Sequence, residues 1–133
     1  MYYISKAHRH RFENAIKKNY PNCSKKYYAA LYLLYADYDL QIATEQAVQK
    51  QSIKFFSCKQ SNFTAEQYTL FRAAQDIYTG TNYISIEDLA DPGIIDKQIY
   101  KAILEALQIA RRGYGRISVG VSSVPGQEAG ELE

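Results

Sequence analysis

The chain of 133 residues contains no tryptophan and no long apolar run. It has only two cysteines and two histidines. A membrane-spanning helix needs about 20 mainly apolar residues in a row, and residues 1–6 lack the apolar stretch of a secretion signal. Cys23 and Cys58 are isolated, so the chain has no C-x-x-C metal motif. We therefore expect a cytoplasmic protein with no membrane association and with two reduced thiols, although a disulfide stays open.

Motifs that carry chemistry are also missing. His8 and His10 are two positions apart, so on a helix they do not face each other and cannot share a metal ion. We expect both on the surface. The chain has no H-E-x-x-H, G-x-S-x-G or P-loop motif. Five of its acids lie at expected helix ends, where caps and the helix dipole explain them: Asp37, Asp39, Glu87, Asp88 and Asp91. We therefore predict a protein that is not an enzyme and needs no cofactor or metal. The alternative is an enzyme whose active site contains a carboxylate pair assembled from distant positions in the sequence.

Tyrosine is abundant, with 13 residues in a composition that is 47% hydrophobic and 23% charged. Those proportions are typical of a globular protein, and the length suits one domain. A tyrosine combines an apolar ring with a polar tip, so it packs at the margin of a core or at a contact surface. Both roles are open for the tyrosines of this chain.

Hydrophobic spacing and capping residues predict a mostly α-helical, compact single-domain bundle of five or six helices over residues 1–112. The first helix should begin after Ser5 and lie on the surface as far as about Lys18. The second, capped by Ser24, is apolar on nearly every side and is predicted to be the core helix. A third, more polar helix is expected over residues 40–49.

The later helices have clearer end signals. Thr64-Ala65-Glu66-Gln67 fits a capping box, and Gly80 suits the left-handed position that follows a helix. A short helix is expected after Ser85, and Asp96 should cap a last helix that Gly113 closes. The buried stripe predicted for this last helix comprises Ile99, Ala102, Ile103, Ala106, Leu107 and Ala110.

Residues 113–133 differ from the rest because they hold five of the seven glycines. This Gly/Ser-rich composition predicts an appendage to the helical domain. Branched apolar residues in the segment 116–122 alternate with small or polar ones, which is typical of a short strand. The alternative for this tail is a flexible segment. A small β element is also expected at 52–57, where an extended connection is the other alternative.

Charge is unevenly distributed, although the net charge is only +2. Residues 1–30 contain seven lysines and arginines and a single acid, Glu13. Lysines flank the first interhelix turn with tyrosines between them, and such a surface can contact phosphate, unpaired bases or an acidic protein. The candidate binding surface comprises Lys17, Lys18, Tyr20, Lys25, Lys26, Tyr27 and Tyr28.

Three stretches carry a resemblance to a known family. They are Tyr3-Ile4-Ser5 with His8 and Phe12, then Ala30-Leu31-Tyr32-Leu33, then the segment from Phe71 to Tyr78 with Gly80. With them, residues 1–112 resemble a family of short uncharacterised proteins of Gram-positive bacteria, often encoded on conjugative elements and prophages. The chain departs from that family by lacking a tryptophan in the middle segment, by its Ala90-Asp91-Pro92-Gly93 connection and by its long tail.

The resemblance implies a setting and no catalytic residue, because no activity is attached to that family. Small proteins of mobile elements often bind a host or element protein, and some block host defence nucleases. We therefore predict a non-enzymatic protein-binding or regulatory accessory protein of a mobile genetic element, with inhibition of a host defence protein as one form of that role. The alternative is a nucleic-acid-binding accessory factor. The protein partner is unidentified, and a homodimer is left open.

Overall fold

The structure, a computed structural model, describes residues 1–114. Three helices form the centre of the molecule. α2 (Lys25–Leu34) packs along both α4 (Ala65–Thr79) and α6 (Lys97–Arg112), which also contact each other. Tyr27 and all residues from 29 to 34 are completely buried. A helix that is apolar on every side is stabilised most when neighbours cover every side. The prediction that the second helix is the core helix is confirmed.

Shorter elements surround these three helices. They are α1 (Lys6–Asn14), a π-helical turn (Ala15–Asn19), α3 (Tyr38–Ala43), β1 (Val48–Gln49), β2 (Ser52–Ile53), a 3-10 turn (Phe55–Ser57) and α5 (Ile86–Ala90). β1 and β2 form an antiparallel pair in which Val48 lies opposite Ile53. The prediction of a mostly α-helical bundle of five or six helices with a small β element is confirmed. Among residues 1–114, no helix is both long enough and apolar enough to cross a membrane.

α4 and α6 both run antiparallel to α2. The ring of Tyr27, early in α2, lies 6.5 Å from the ring of Tyr78, late in α4. The Nζ atom of Lys25, at the start of α2, donates a hydrogen bond to the carbonyl of Arg111, at the end of α6. The amino end of α2 therefore lies beside the carboxyl ends of its two neighbours.

Local capping chemistry sets the helix starts as the sequence predicts. At the five starts that the sequence predicts from a cap, a side chain accepts a hydrogen bond from the backbone N–H three positions later: Ser5, Ser24, Thr64, Ser85 and Asp96. Thr64 and Gln67 form the complete capping box. Gly80 follows α4 with φ at 81°, in the left-handed region that glycine adopts without steric cost. These predictions are confirmed because they depend only on nearby residues.

The first helical segment reaches Asn19, close to the predicted end at about Lys18, but its last turn is π-helical. α1 ends at Asn14 because the chain widens into the π-helical turn, in which the Tyr20 N–H donates to the carbonyl of Ala15 at 2.8 Å. The inner face of α1 is covered, with His8 and Phe12 buried, and Ala15 of the π-helical turn is buried as well. The expectation that His8 lies on the surface is wrong, whereas His10 is exposed.

The third helix starts earlier and ends sooner than the predicted range of 40–49. The Asp37 carboxylate accepts the Leu40 N–H at 2.9 Å, so α3 begins at Tyr38. The Thr44 hydroxyl bonds the carbonyl of Leu40 at 2.9 Å where the helix ends. The chain then forms the β1–β2 pair. Of the predicted β positions 52–57, only 52 and 53 are in a strand, and the segment 116–122, like the rest of the predicted tail beyond Tyr114, lies outside the described residues.

His8 joins α1 to the carboxyl end of α2. Its Nε2 donates to the carbonyl of Tyr32 at 2.8 Å, and its Nδ1 accepts the N–H of Ile4 at 3.1 Å. Because one ring nitrogen donates and the other accepts, the ring is a neutral imidazole with its proton on Nε2. The Tyr32 carbonyl is one of the last four of α2, which have no partner within the helix, so the buried imidazole satisfies it. Burial lowers the pKa of His8 to about 4.

We expect His8 to make the free energy of unfolding fall by about 3 kcal/mol as the pH is lowered from 6.5 to 4. In this range the unfolded chain takes up a proton on His8 and the folded chain does not, so acid stabilises the unfolded state. Urea unfolding at a series of pH values, followed by circular dichroism, measures the change.

His8→Gln keeps an amide donor and does not titrate, so this variant should lose that part of the pH dependence. His10→Ala is the matched control, because it removes an exposed ring and should leave the dependence intact. The same pH profile in His8→Gln and the unchanged chain would contradict the assignment.

Candidate functional site

The four lysines of the predicted surface lie around the turn that joins the π-helical turn to α2. Lys17, Lys18, Lys25 and Lys26 are all exposed. The sequence contains no acid from residue 14 to residue 36, and none of the four forms an ion pair with any residue from 1 to 114. Among residues 1–114, this end of the molecule therefore has a positive potential that no ion pair neutralises.

The three tyrosines of the predicted surface are engaged within the fold. Tyr27 is completely buried, burial raises the pKa of its hydroxyl, and that hydroxyl donates to the carbonyl of Gln49. The prediction that its ring forms part of the surface is wrong. Tyr28 is half-buried, and its hydroxyl donates to the Tyr20 carbonyl and accepts the Cys23 N–H, both at 2.9 Å. The half-buried Tyr20 ring packs 5.8 Å from that of Tyr27. These rings stabilise the turn and present no open stack for bases.

A cleft of about 410 Å³ lies where this turn meets the β1–β2 hairpin. It combines two lysines, two side-chain amides and a half-buried aromatic wall, and no carboxylate lines it. We name it the basic cleft, lined by Lys18, Asn19, Tyr20, Pro21, Cys23, Lys50 and Gln51. Lys18 belongs to the predicted surface, whereas Lys50 was not predicted because the fold brings it there from a distant part of the chain.

α6 has a second apolar stripe on its outer side. Tyr100, Leu104 and Leu107 are exposed by 38%, 41% and 40% and follow one another at spacings of four and three, so they share one line along the helix. Leu107 was expected in the buried stripe, and this is wrong. It is turned by about 100° from its buried neighbour Ala106, and Ile109 is buried instead. The spacing of the outer stripe was readable in the sequence.

A groove of about 800 Å³ runs between Leu104 and Leu107 of this stripe and Tyr2 of the N-terminal segment, while Tyr100 lies outside it. Its floor is apolar and its rim is mostly polar. We name it the α6 groove, lined by Tyr2, Lys101, Leu104, Glu105, Leu107, Gln108, Ala110 and Arg111.

Hydrogen bonds to two helices hold the Tyr2 wall of the α6 groove. The Tyr2 N–H donates to the Glu105 carboxylate of α6 at 3.0 Å, and its carbonyl accepts the Tyr32 hydroxyl of α2. The ring of Tyr2 also lies 5.7 Å from the Lys101 ammonium, within the range of a cation–π contact. The wall is therefore part of the folded domain.

The rim of the α6 groove is predominantly basic. Lys101 and Arg111 line the groove, are exposed and form no ion pair with any residue in the described part of the chain. Lys97, one turn before Lys101 on α6, is also exposed and without an ion pair there, but it lies outside the groove. Glu105 is the one acid that lines the groove, and its carboxylate accepts the Tyr2 N–H. The groove thus offers apolar contact along its floor and positive charge at its rim.

Cys23 and Cys58 are free thiols, so the expectation of two reduced cysteines agrees with the structure. Within residues 1–114, no three of the histidine, cysteine, aspartate and glutamate side chains come together as metal ligands. No protein-family model, curated protein or solved structure matches the chain. Its function has to be inferred from the chemistry of its own surfaces.

We expect Tyr28→Phe to lower the free energy of unfolding by about 1–3 kcal/mol, because the carbonyl of Tyr20 and the N–H of Cys23 lose their shared partner. Urea unfolding measures the loss, and amide exchange at Cys23 should become faster. Tyr38→Phe is the matched control, because the Tyr38 ring is exposed and its hydroxyl makes no hydrogen bond within residues 1–114. Equal losses in the two variants would show that Tyr28 does not stabilise the turn.

Proposed function

We propose that the chain is a non-enzymatic protein-binding module, and that its α6 groove receives an amphipathic helix from an acidic partner protein. The observation that supports this most directly is the outer stripe of Tyr100, Leu104 and Leu107. In the mobile-element setting that the resemblance implies, the partner would be a host or element protein. Inhibition of a host defence protein would use the same surface.

The outer stripe is not needed to complete the core. α6 already buries Ile99, Ala102, Ile103, Ala106 and Ile109 against its neighbours. Burying a leucine side chain fully contributes about 1.5–3 kcal/mol. A partner that covered the exposed parts of Leu104 and Leu107 would therefore gain binding free energy. Apolar residues at helical spacing beside a concave surface are typical of grooves that bind helices.

The dimensions of the stripe suit two turns of a partner helix. From Tyr100 to Leu107 the stripe spans about 10 Å, at a rise of about 1.5 Å per residue. A partner helix lying beside α6 would place apolar side chains from successive turns over Leu104 and Leu107, with the wall at Tyr2 limiting its sideways position.

The charge of the rim favours an acidic partner. Lys97, Lys101 and Arg111 border the apolar stripe along α6 and have no carboxylate partner within residues 1–114. Complementary charges at the edge of an interface raise the association rate and select among partners. Aspartate and glutamate beside the apolar anchors of the partner helix would supply that complement.

The nucleic-acid alternative loses part of its support. It requires aromatic rings that can stack on unpaired bases next to lysines. Tyr27 is in the core, and the hydroxyl and ring of Tyr28 are committed to the turn. The lysines alone provide charge without a means of recognising bases.

We expect the double variant Leu104→Asp/Leu107→Asp to weaken partner binding at least about tenfold, because it replaces apolar contacts with charges that repel an acidic helix. The measurement uses a displayed library of amphipathic helical peptides whose flanking positions vary in charge. Sequences selected on the unchanged chain should carry aspartate or glutamate, and isothermal titration then gives their affinities for each variant.

Phe56→Asp is the matched control, because Phe56 is an apolar side chain that is 85% exposed and does not line the α6 groove. It should leave the affinities unchanged, and thermal unfolding should show that all variants are folded. Selection of basic peptides, or equal affinities in both variants, would reject the proposal. So would a dimer of the unchanged chain that Leu104→Asp/Leu107→Asp converts to monomer, since a second copy would then occupy the groove.

A further inference from the structure

We propose that the basic cleft binds the phosphate group of a small phosphorylated ligand. This site is independent of the α6 groove. It uses Lys18 and Lys50, two exposed lysines that come from different segments and line one cavity.

The cleft is built from two stretches of sequence that contain no acid. One covers residues 14–36 and supplies Lys18, and the other covers residues 46–65 and supplies Lys50. Neither lysine forms an ion pair within the described residues. An anion bound in the cavity would be attracted by both cations.

Backbone irregularities surround the same cavity. The π-helical turn Ala15–Asn19 ends in it, and such turns are rare and frequently mark functional sites. Asn22 and Gln51, with φ at 62° and 68°, are the non-glycine residues with positive φ in the structure of residues 1–114. Gln51 lines the cleft and Asn22 lies between two residues that do. Strained backbone of this kind costs about 1–3 kcal/mol per residue and tends to collect at binding sites.

The side chains of the cleft match a phosphate group. Two ammonium groups supply positive charge, and the amides of Asn19 and Gln51 can donate to further oxygens of the ligand. Tyr20 and Pro21 form a less polar wall for the group that carries the phosphate. A volume of about 410 Å³ suits a small molecule. A nucleic-acid strand would need stacking rings along a track, and the neighbouring tyrosines are engaged in the turn.

The test is a titration of the ¹⁵N-labelled full chain with inorganic phosphate, with adenosine monophosphate and with a thymidine oligonucleotide at constant ionic strength. Phosphate and the nucleotide should shift the amide signals of residues 18–20, 22–23 and 49–52. Lys18→Ala/Lys50→Ala should weaken both affinities at least about tenfold, since two charge-assisted hydrogen bonds are lost. Lys54→Ala/Lys59→Ala removes the same charge from exposed positions outside the cleft and should have little effect.

Three results would overturn the proposal. They are no shift with phosphate or nucleotide, equal weakening in the two double variants, and binding of the oligonucleotide alone. Leu104→Asp/Leu107→Asp should bind phosphate normally, so failure at the cleft and failure at the α6 groove are distinguished.

Discussion

A helix without a solvent-facing side cannot leave its terminal carbonyls to water, so other parts of the protein have to satisfy them. α2 is buried on every side, and side chains of α1 donate hydrogen bonds to the carbonyls at its carboxyl end. His8 donates to the Tyr32 carbonyl, and the Arg11 guanidinium donates to the Tyr35 carbonyl. The same imidazole accepts the Ile4 N–H and so holds the N-terminal segment in place. The packing of α1 and of the first residues therefore follows from the burial of α2.

The two proposed sites lie at features that this arrangement creates. The N-terminal segment, fixed by His8 and by the Tyr32 hydroxyl, places Tyr2 as a wall beside the outer stripe of α6. At the amino end of α2, the Tyr28 hydroxyl hydrogen-bonds Tyr20 and Cys23 and so stabilises the turn that follows Lys18. One site offers apolar surface with a basic rim, and the other offers charge in a small cavity. They can therefore take different ligands.

The sequence predicted what depends on near neighbours. The helix caps were identified because a cap and its N–H partner are three residues apart, and α2 was identified because its apolar residues occupy every face. The burial of His8 was missed because its partners, Tyr32 and Ile4, are brought to it by tertiary packing. The tyrosines were misjudged for a similar reason, since the sequence does not tell whether a hydroxyl finds its partner inside the fold. The stripe at Tyr100, Leu104 and Leu107 could have been found from its spacing.

The protonation state of His8 tests the central claim that the imidazole caps α2 and secures the N-terminal segment. Long-range ¹H–¹⁵N correlation spectra of the imidazole distinguish the charged ring and the two neutral tautomers. With a pKa lowered to about 4, His8 should be neutral and carry its proton on Nε2 at about pH 5.5. A charged His8 ring at that pH, or a proton on Nδ1, would contradict the account.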